Sequence, residues 1–352
     1  MLKKILQFTL FLGLGVVILG LVFRSQNAAF QEQCRLDGTP ADQCSLTDKL
    51  LHDFSTVHLG WMLAVVAAFT VSNIFRALRW QMLFEPLGYR TRFPNALLTI
   101  FLGYFANLGL PRMGEVVRAG AMARNENIPM ETVMGTMVVD RLMDFVCLAV
   151  VVGLAFVFEG QTLWAFIADN RADGSASGGG LLQNPVVQIV LGLMLAGGVA
   201  AFFLRQKLAQ LPLFQKIENL LLGFGQGFRS VFRLKNWPLF LFYSGGIWLM
   251  FYLQCLFNMY AFPPTAHLTA GAALMIFVIG TLGFIIPSPG GMGTFHALCI
   301  AGLALYGVVG TDGFSYANIS FFAIQIFYNV VFGGAALLLL PSFARRANSE
   351  KA

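Results

Sequence analysis

Apolar residues fall in long runs along the chain, separated by short polar stretches where basic residues gather. Runs at 5–23, 58–75, 131–158, 185–204, 238–262 and 319–340 are each close to the roughly 20 residues a helix needs to cross a hydrocarbon core of about 30 Å. Two other apolar runs are interrupted. Residues 96–111 form a shorter run that closes on Pro111, Arg112, Gly114 and Glu115, and the run 270–311 contains Pro287, Pro289, Gly290, Gly291 and Gly293. Proline removes a backbone donor and glycine costs about 1 kcal/mol of helix stability against alanine, so regular helix must break at both places. Broken backbone at membrane depth is tolerated only where protein or water satisfies it. The pattern predicts an all-α polytopic membrane protein of about six full spans plus two broken or re-entrant helical hairpins.

Charge gives this pattern a direction. If the run 96–111 dips in and returns to the cytoplasmic side, inside segments hold 18 of the 23 Lys and Arg and outside segments 4; if it crosses, the outside holds 15. Cytoplasmic loops retain basic residues, which favours the re-entrant reading with both termini cytoplasmic. On that topology Arg76, Arg79, Arg90 and Arg92 follow the second span on the inside, with Trp80 at the interface, and residues 24–57 form an external loop. The first interrupted run is then approached from the cytoplasm and the second from outside. Their similar closures on proline, methionine and glycine suggest an inverted repeat, whose broken helices meet at a substrate site. The implied organisation is an anchor and external loop at 1–57, a transmembrane domain at 58–345 with repeat units 58–158 and 238–340 joined by 159–237, and a tail at 346–352.

Composition narrows the chemistry. The 352 residues are 57% hydrophobic and 11% charged, with a mean hydropathy of +0.71, outside the soluble range. The net charge of +6 reports topology first and anionic headgroups second, so no nucleic-acid partner is expected. Residues 205–237 mix Leu and Phe with Lys and Arg, as a helix in the headgroup region does, or a loop helix packed on the bundle. The external Cys34 and Cys44 stand bonded or free with equal weight. The four histidines are scattered, and no metal-ligand spacing, nucleophile elbow or nucleotide fingerprint occurs, so neither metal nor cofactor is expected.

Three charges inside an apolar run stand out: Asp140, Arg141 and Asp144. Each costs about 2.5–3.5 kcal/mol near a helix centre on insertion scales, so they require partners. Arg112, Glu115 and Arg118 are available, and the six sum to zero charge. A closed ion-pair network explains them. So does a site for a lipid headgroup, with arginines for phosphate, carboxylates for an amine or sugar hydroxyls, and Asn107 and Asn73 in support. His296 fits either a proton-coupled contact or a neutral ring bonded to backbone.

The elements 287–293, Asn107, 111–118 and Asp140–Arg141 resemble the flippase-like membrane family typified by the transmembrane part of lysylphosphatidylglycerol synthase, over about 59–340. The resemblance implies lipid handling, in some relatives linked to polyprenyl-phosphate sugars. It does not imply the synthase activity, which belongs to a soluble domain after the membrane part. His296 stands where relatives often have glutamate, which points to a different lipid. The expected function is a lipid flippase of the bacterial inner membrane, with Asn107, Arg112, Glu115, Arg118, Asp140, Arg141, Asp144 and His296 contacting an anionic or zwitterionic phospholipid or a lipid-linked sugar. Homo-oligomers are left open. The alternatives are a polyprenyl-phosphate-dependent glycosyltransferase using Asp37 or Asp42, and a secondary transporter of a small solute.

Overall fold

The computed structural model describes residues 44–109, 113–172, 234–285 and 291–349, with isolated helical positions between 20 and 35. The chain divides into two compact units, Met1–Phe158 with Leu234–Ala352, and Glu159–Arg233. Of the second unit, the helical residues 159–172 are described. Every regular element among the described residues is helical: α1 Leu46–Thr56, α2 Leu59–Met82, α3 Phe93–Gly109, α4 Met113–Glu126, α5 Met130–Ala172, α6 Trp237–Ala261, α7 Ala270–Ile285, α8 Thr294–Ala304, α9 Gly310–Phe321, a π-helix Phe322–Tyr328, and α10 Asn329–Ser349.

Among the described residues, four helical stretches are long and apolar enough to cross a membrane: Leu59–Leu87, Met130–Thr162, Trp237–Ala261 and Gly310–Leu340. The expected spans at 5–23 and 185–204 lie outside the described residues, positions 20 and 23 apart, as does the basic stretch 205–233. Two spans differ from expectation. The second does not end at Phe75 but continues to Met82, because Arg76 and Arg79 find buried partners within the bundle and need no solvent. The last begins at Gly310, nine residues early, since the polar groups of α9 bond to neighbouring helices.

α2 and α6 form an antiparallel pair joined at one end by the His58 N–H donating to the Ala261 carbonyl, 2.8 Å. Trp61 stacks on Phe257 at 5.6 Å and Phe69 on Phe251 at 6.1 Å, so aromatic contacts run along the seam. The segment expected as an external loop is not all loop. Ser45 caps α1, and Lys49 bonds Asp53 at 2.8 Å and Asp312 of α9 at 2.7 Å, while the Ser315 hydroxyl donates to Asp53. Burial lowers the Lys49 pKa, but both carboxylates outweigh it and hold the amine above its ordinary value. Cys34 and Cys44 are disulfide-bonded, with Cα atoms 6.2 Å apart.

Both interrupted runs fold back as helical hairpins built on close backbone approach. In α3–α4, Gly103 and Gly114 face each other, and the Gly114 N–H donates to Asn107 Oδ1 at 2.8 Å. Asn95 bonds Glu126 at the open end of the hairpin. In α7–α8, Gly283 packs on the Phe295 backbone, and the Thr294 hydroxyl donates to the Gly283 carbonyl at 2.7 Å. Gly291 and Gly293 both take φ of +80°, a region a side chain disfavours. Pro111, Arg112, Pro287, Pro289 and Gly290 lie outside the described residues.

A methyl group at Gly114 would overlap the Gly103 carbonyl and Asn107, whereas one at Gly120 on the same helix meets nothing within 4 Å. Gly114→Ala is expected to destabilise by about 1–3 kcal/mol through overpacking, and Gly120→Ala to be neutral or to stabilise by up to about 1 kcal/mol. Thermal unfolding of the detergent-solubilised protein, read side by side for the two variants, checks this.

Candidate functional site

The charges of the bundle converge on Arg79, which is fully buried. Its Nη2 lies 2.6 Å from Asp140 Oδ1 and 2.7 Å from Asp144 Oδ1, its Nε donates to Asp140 Oδ1 at 2.9 Å, and Nη1 reaches the Ser244 hydroxyl at 3.4 Å. Next to Arg79 on α2, the indole N–H of Trp80 donates to the Thr136 hydroxyl of α5 at 3.1 Å, one turn before Asp140. Thr136, Asp140 and Asp144 recur every fourth residue and so present one face of α5 to α2. The rest of α5 is largely exposed and apolar, with Val138, Phe145, Val150 and Val157 outward. Polar side chains, not close backbone packing, hold this helix to α2.

Arg76 and Arg118 are buried as deeply but are less fully bonded. Arg76 reaches Asp144 Oδ2 only at 3.5 Å and Arg118 reaches Asp140 Oδ2 only at 4.0 Å. Arg76 Nε and Arg118 Nε and Nη2 have no hydrogen-bond partner. Arg118 lies 3.8 Å above the Trp80 ring and Arg76 5.7 Å from the Phe251 ring, where aromatic faces supply part of the missing compensation. Half-exposed Arg141 pairs with Glu115 at 2.9 Å and meets Asp144 at 3.5 Å. Among the described residues the cluster holds Arg76, Arg79, Arg118 and Arg141 against Glu115, Asp140 and Asp144, one positive charge in excess.

Phe251 is also a wall of a cavity of about 270 Å³ lined by α2, α3, α6, α7, α8, α9, the π-helix and the first residue of α10. Phenylalanines make up much of its lining, with the polar side chains of Gln254, Asn258, Ser320, Gln325 and Asn329 among them. The π-helix carries Gln325 into this wall, and such bulges recur at functional sites. Arg76 therefore stands between the ion cluster and a chamber that suits a partly apolar molecule.

The structure brings together Glu115, Arg118, Asp140, Arg141 and Asp144. Asn107 of α3 accepts the Gly114 N–H of α4, and Asn73 donates to the Phe69 carbonyl at 2.9 Å. His296 is buried beside Phe295, Phe314 and Phe321, and its Nδ1 accepts the Gly293 N–H at 3.4 Å, which places its proton on Nε2. The cavity wall uses its neighbour Phe295 instead. Arg76 and Arg79 are the corrections to the expected cluster: they are buried partners of the α5 carboxylates, not cytoplasmic loop residues. Their spacing to Trp80 on one helix was the available signal. Asp37 and Asp42 lie outside the described residues.

A membrane-spanning helical bundle closed around a buried arginine–carboxylate cluster and an adjoining cavity defines a multi-pass membrane protein with an internal polar site. The chain matches the family described as the lysylphosphatidylglycerol synthase TM region over residues 46–333, and belongs to it. It is also similar to a UPF0104 membrane protein of Methanocaldococcus jannaschii, 36% identical over 86 residues, which are 24% of this chain and 25% of that protein. The match thus spans about a quarter of the length of that relative. No solved structure matches the chain.

Removing Arg79 leaves two buried carboxylates without their main partner. Arg79→Met is expected to cost about 3–5 kcal/mol, while Arg141→Ala, at a half-exposed pair, changes stability by no more than about 1 kcal/mol. Thermal midpoints of the two purified variants should therefore separate widely; similar midpoints would contradict the assignment of Arg79 as the hub.

Proposed function

We propose that the protein binds a membrane lipid and moves its headgroup between leaflets. One observation carries this reading: a buried guanidinium with an unused donor, Arg76, in a cluster bearing one excess positive charge among the described residues, beside a cavity walled by aromatic rings. An anionic phosphate supplies the missing charge and accepts the free N–H, and the aromatic wall accommodates the adjoining apolar part. The cavity volume suits a headgroup and the start of its chains rather than a whole lipid. Membership of a family named for the membrane region of a phospholipid synthase supports a lipid as ligand.

In this reading α3–α4 and α7–α8 are the two re-entrant hairpins of an inverted repeat, entered from opposite sides of the membrane. Each closes on a glycine-mediated contact with a polar side chain on the turn, and the cavity draws lining residues from both, Tyr104 from one and Phe277, Phe284 and Phe295 from the other. Movement of one hairpin against the fixed α2–α6 pair would open the cavity to either leaflet in turn. Both termini are cytoplasmic, the membrane is the bacterial inner membrane, and no covalent chemistry is assigned.

Fluorescent phospholipid in the inner leaflet of proteoliposomes should become accessible to an external quencher faster than in protein-free vesicles. Arg76→Gln should slow this at least about tenfold, the loss of one charge-assisted contact, with the protein still folded by thermal unfolding. No acceleration with any of a broad lipid panel, using folded protein, would refute the proposal.

A further inference from the structure

The charged cluster explains how a phosphate is held, but not the cavity beyond it. Its lining contains neither a basic side chain nor a carboxylate. Three of its polar atoms are buried with no hydrogen-bond partner: Trp248 Nε1, Asn258 Oδ1 and Asn329 Oδ1. These residues are 8%, 3% and 4% exposed.

Hydrogen bonding fixes which amide atom is open. Asn258 Nδ2 donates to the Ser320 oxygen, whose own proton is committed to the Tyr316 carbonyl at 2.9 Å. With the Ser320 proton on the Tyr316 carbonyl, four residues back, the amide nitrogen is the atom that faces Ser320. Asn329 Nδ2 donates to the Gln325 backbone carbonyl at 3.2 Å, a group that only accepts. Both asparagines thus turn an acceptor outward from their own networks, and Trp248 contributes a donor.

A ligand that satisfies acceptors and a donor together, without bringing charge, is a hydroxyl-bearing group. Ester carbonyls only accept, so they answer Trp248 and leave both asparagines unpaired. An ammonium would donate to the asparagines, but no carboxylate in the wall would balance its charge. Trp248 and Asn258 lie ten residues apart on α6, about 15 Å along its axis, so the open groups stand at two depths. That is about half a hydrocarbon core.

We propose that Trp248, Asn258 and Asn329 form a binding track for the hydroxyls of an uncharged polyol, a glycerol or a sugar, attached to the phosphate held at Arg76. It rests on the lipid reading above and narrows it to one phosphate with a hydroxylated, amine-free substituent. The two depths give the headgroup successive stations along the cavity.

Retention of defined lipids by the full-length protein, in a detergent without a sugar headgroup, tests this by native mass spectrometry. Phosphatidylglycerol is compared with phosphatidic acid and phosphatidylethanolamine of the same chains, and polyprenyl-phosphoryl glucose with polyprenyl phosphate. At least one hydroxylated lipid should be retained about tenfold better than its hydroxyl-free counterpart, as one or two net hydrogen bonds allow. The pair that shows the preference identifies glycerol or sugar as the source.

Asn258→Leu and Trp248→Phe should each erode that preference several-fold, read within each variant as the ratio of hydroxylated to hydroxyl-free lipid retained. Trp248→Phe keeps an aromatic ring in place and carries the test if the leucine variant does not fold. Equal retention of hydroxylated and hydroxyl-free lipids, or a preference for phosphatidylethanolamine, overturns this proposal alone. Failure of the wild-type protein to retain any phosphate lipid overturns the lipid reading and this proposal together.

Discussion

The bundle depends on the clasp between Arg79 and the two carboxylates of α5. A fully buried guanidinium is tolerable only when several acceptors surround it, and here Asp140, Asp144 and Ser244 converge from two other helices. The same clasp fixes the facing stripe of α5, since Thr136, Asp140 and Asp144 must all look toward α2 while the apolar remainder looks out. Arg79 engages Oδ1 of both carboxylates, while Asp140 Oδ2 has no hydrogen-bond partner and stands 4.0 Å from Arg118. The spacing of Arg76 and Arg118 from the carboxylates leaves the cluster its unsatisfied donors.

Glycine sets the second constraint. Where α3 meets α4 and α7 meets α8, helices approach so closely that a single methyl group collides with backbone. At these crossings Asn107 and Thr294 add hydrogen bonds between the paired helices. Arg76 links the ion cluster and the cavity, since its guanidinium lies by the ring of Phe251, which is at once part of the α2–α6 seam and part of the cavity wall.

Much of this was legible in the chain. Long apolar runs give the spans, and prolines and glycines mark where helices turn back. Asp140 and Asp144 announce buried partners because carboxylates in an apolar helix have no other stable environment. Arg76 and Arg79 were misplaced for a physical reason: an arginine at the end of an apolar run looks like a loop residue on the basic side, and only tertiary structure reveals carboxylates at its level. The helix continues because those charges are satisfied inside. The cavity was illegible because its lining comes from many elements, and each Phe, Asn or Gln is ordinary in its own helix. Only their convergence, and the direction each amide is forced to take, makes a site of them.

The central claim is that a phosphate completes the arginine cluster and its substituent occupies the adjoining cavity. An experimental density map of the protein in nanodiscs containing its native membrane lipids tests this most directly. The account predicts density for a phosphate within hydrogen-bonding reach of Arg76, continuing past Phe251 into the chamber lined by Trp248, Asn258 and Asn329. A map in which Arg76 is fully bonded to protein carboxylates, with lipid confined to the outer faces of the bundle, would contradict it.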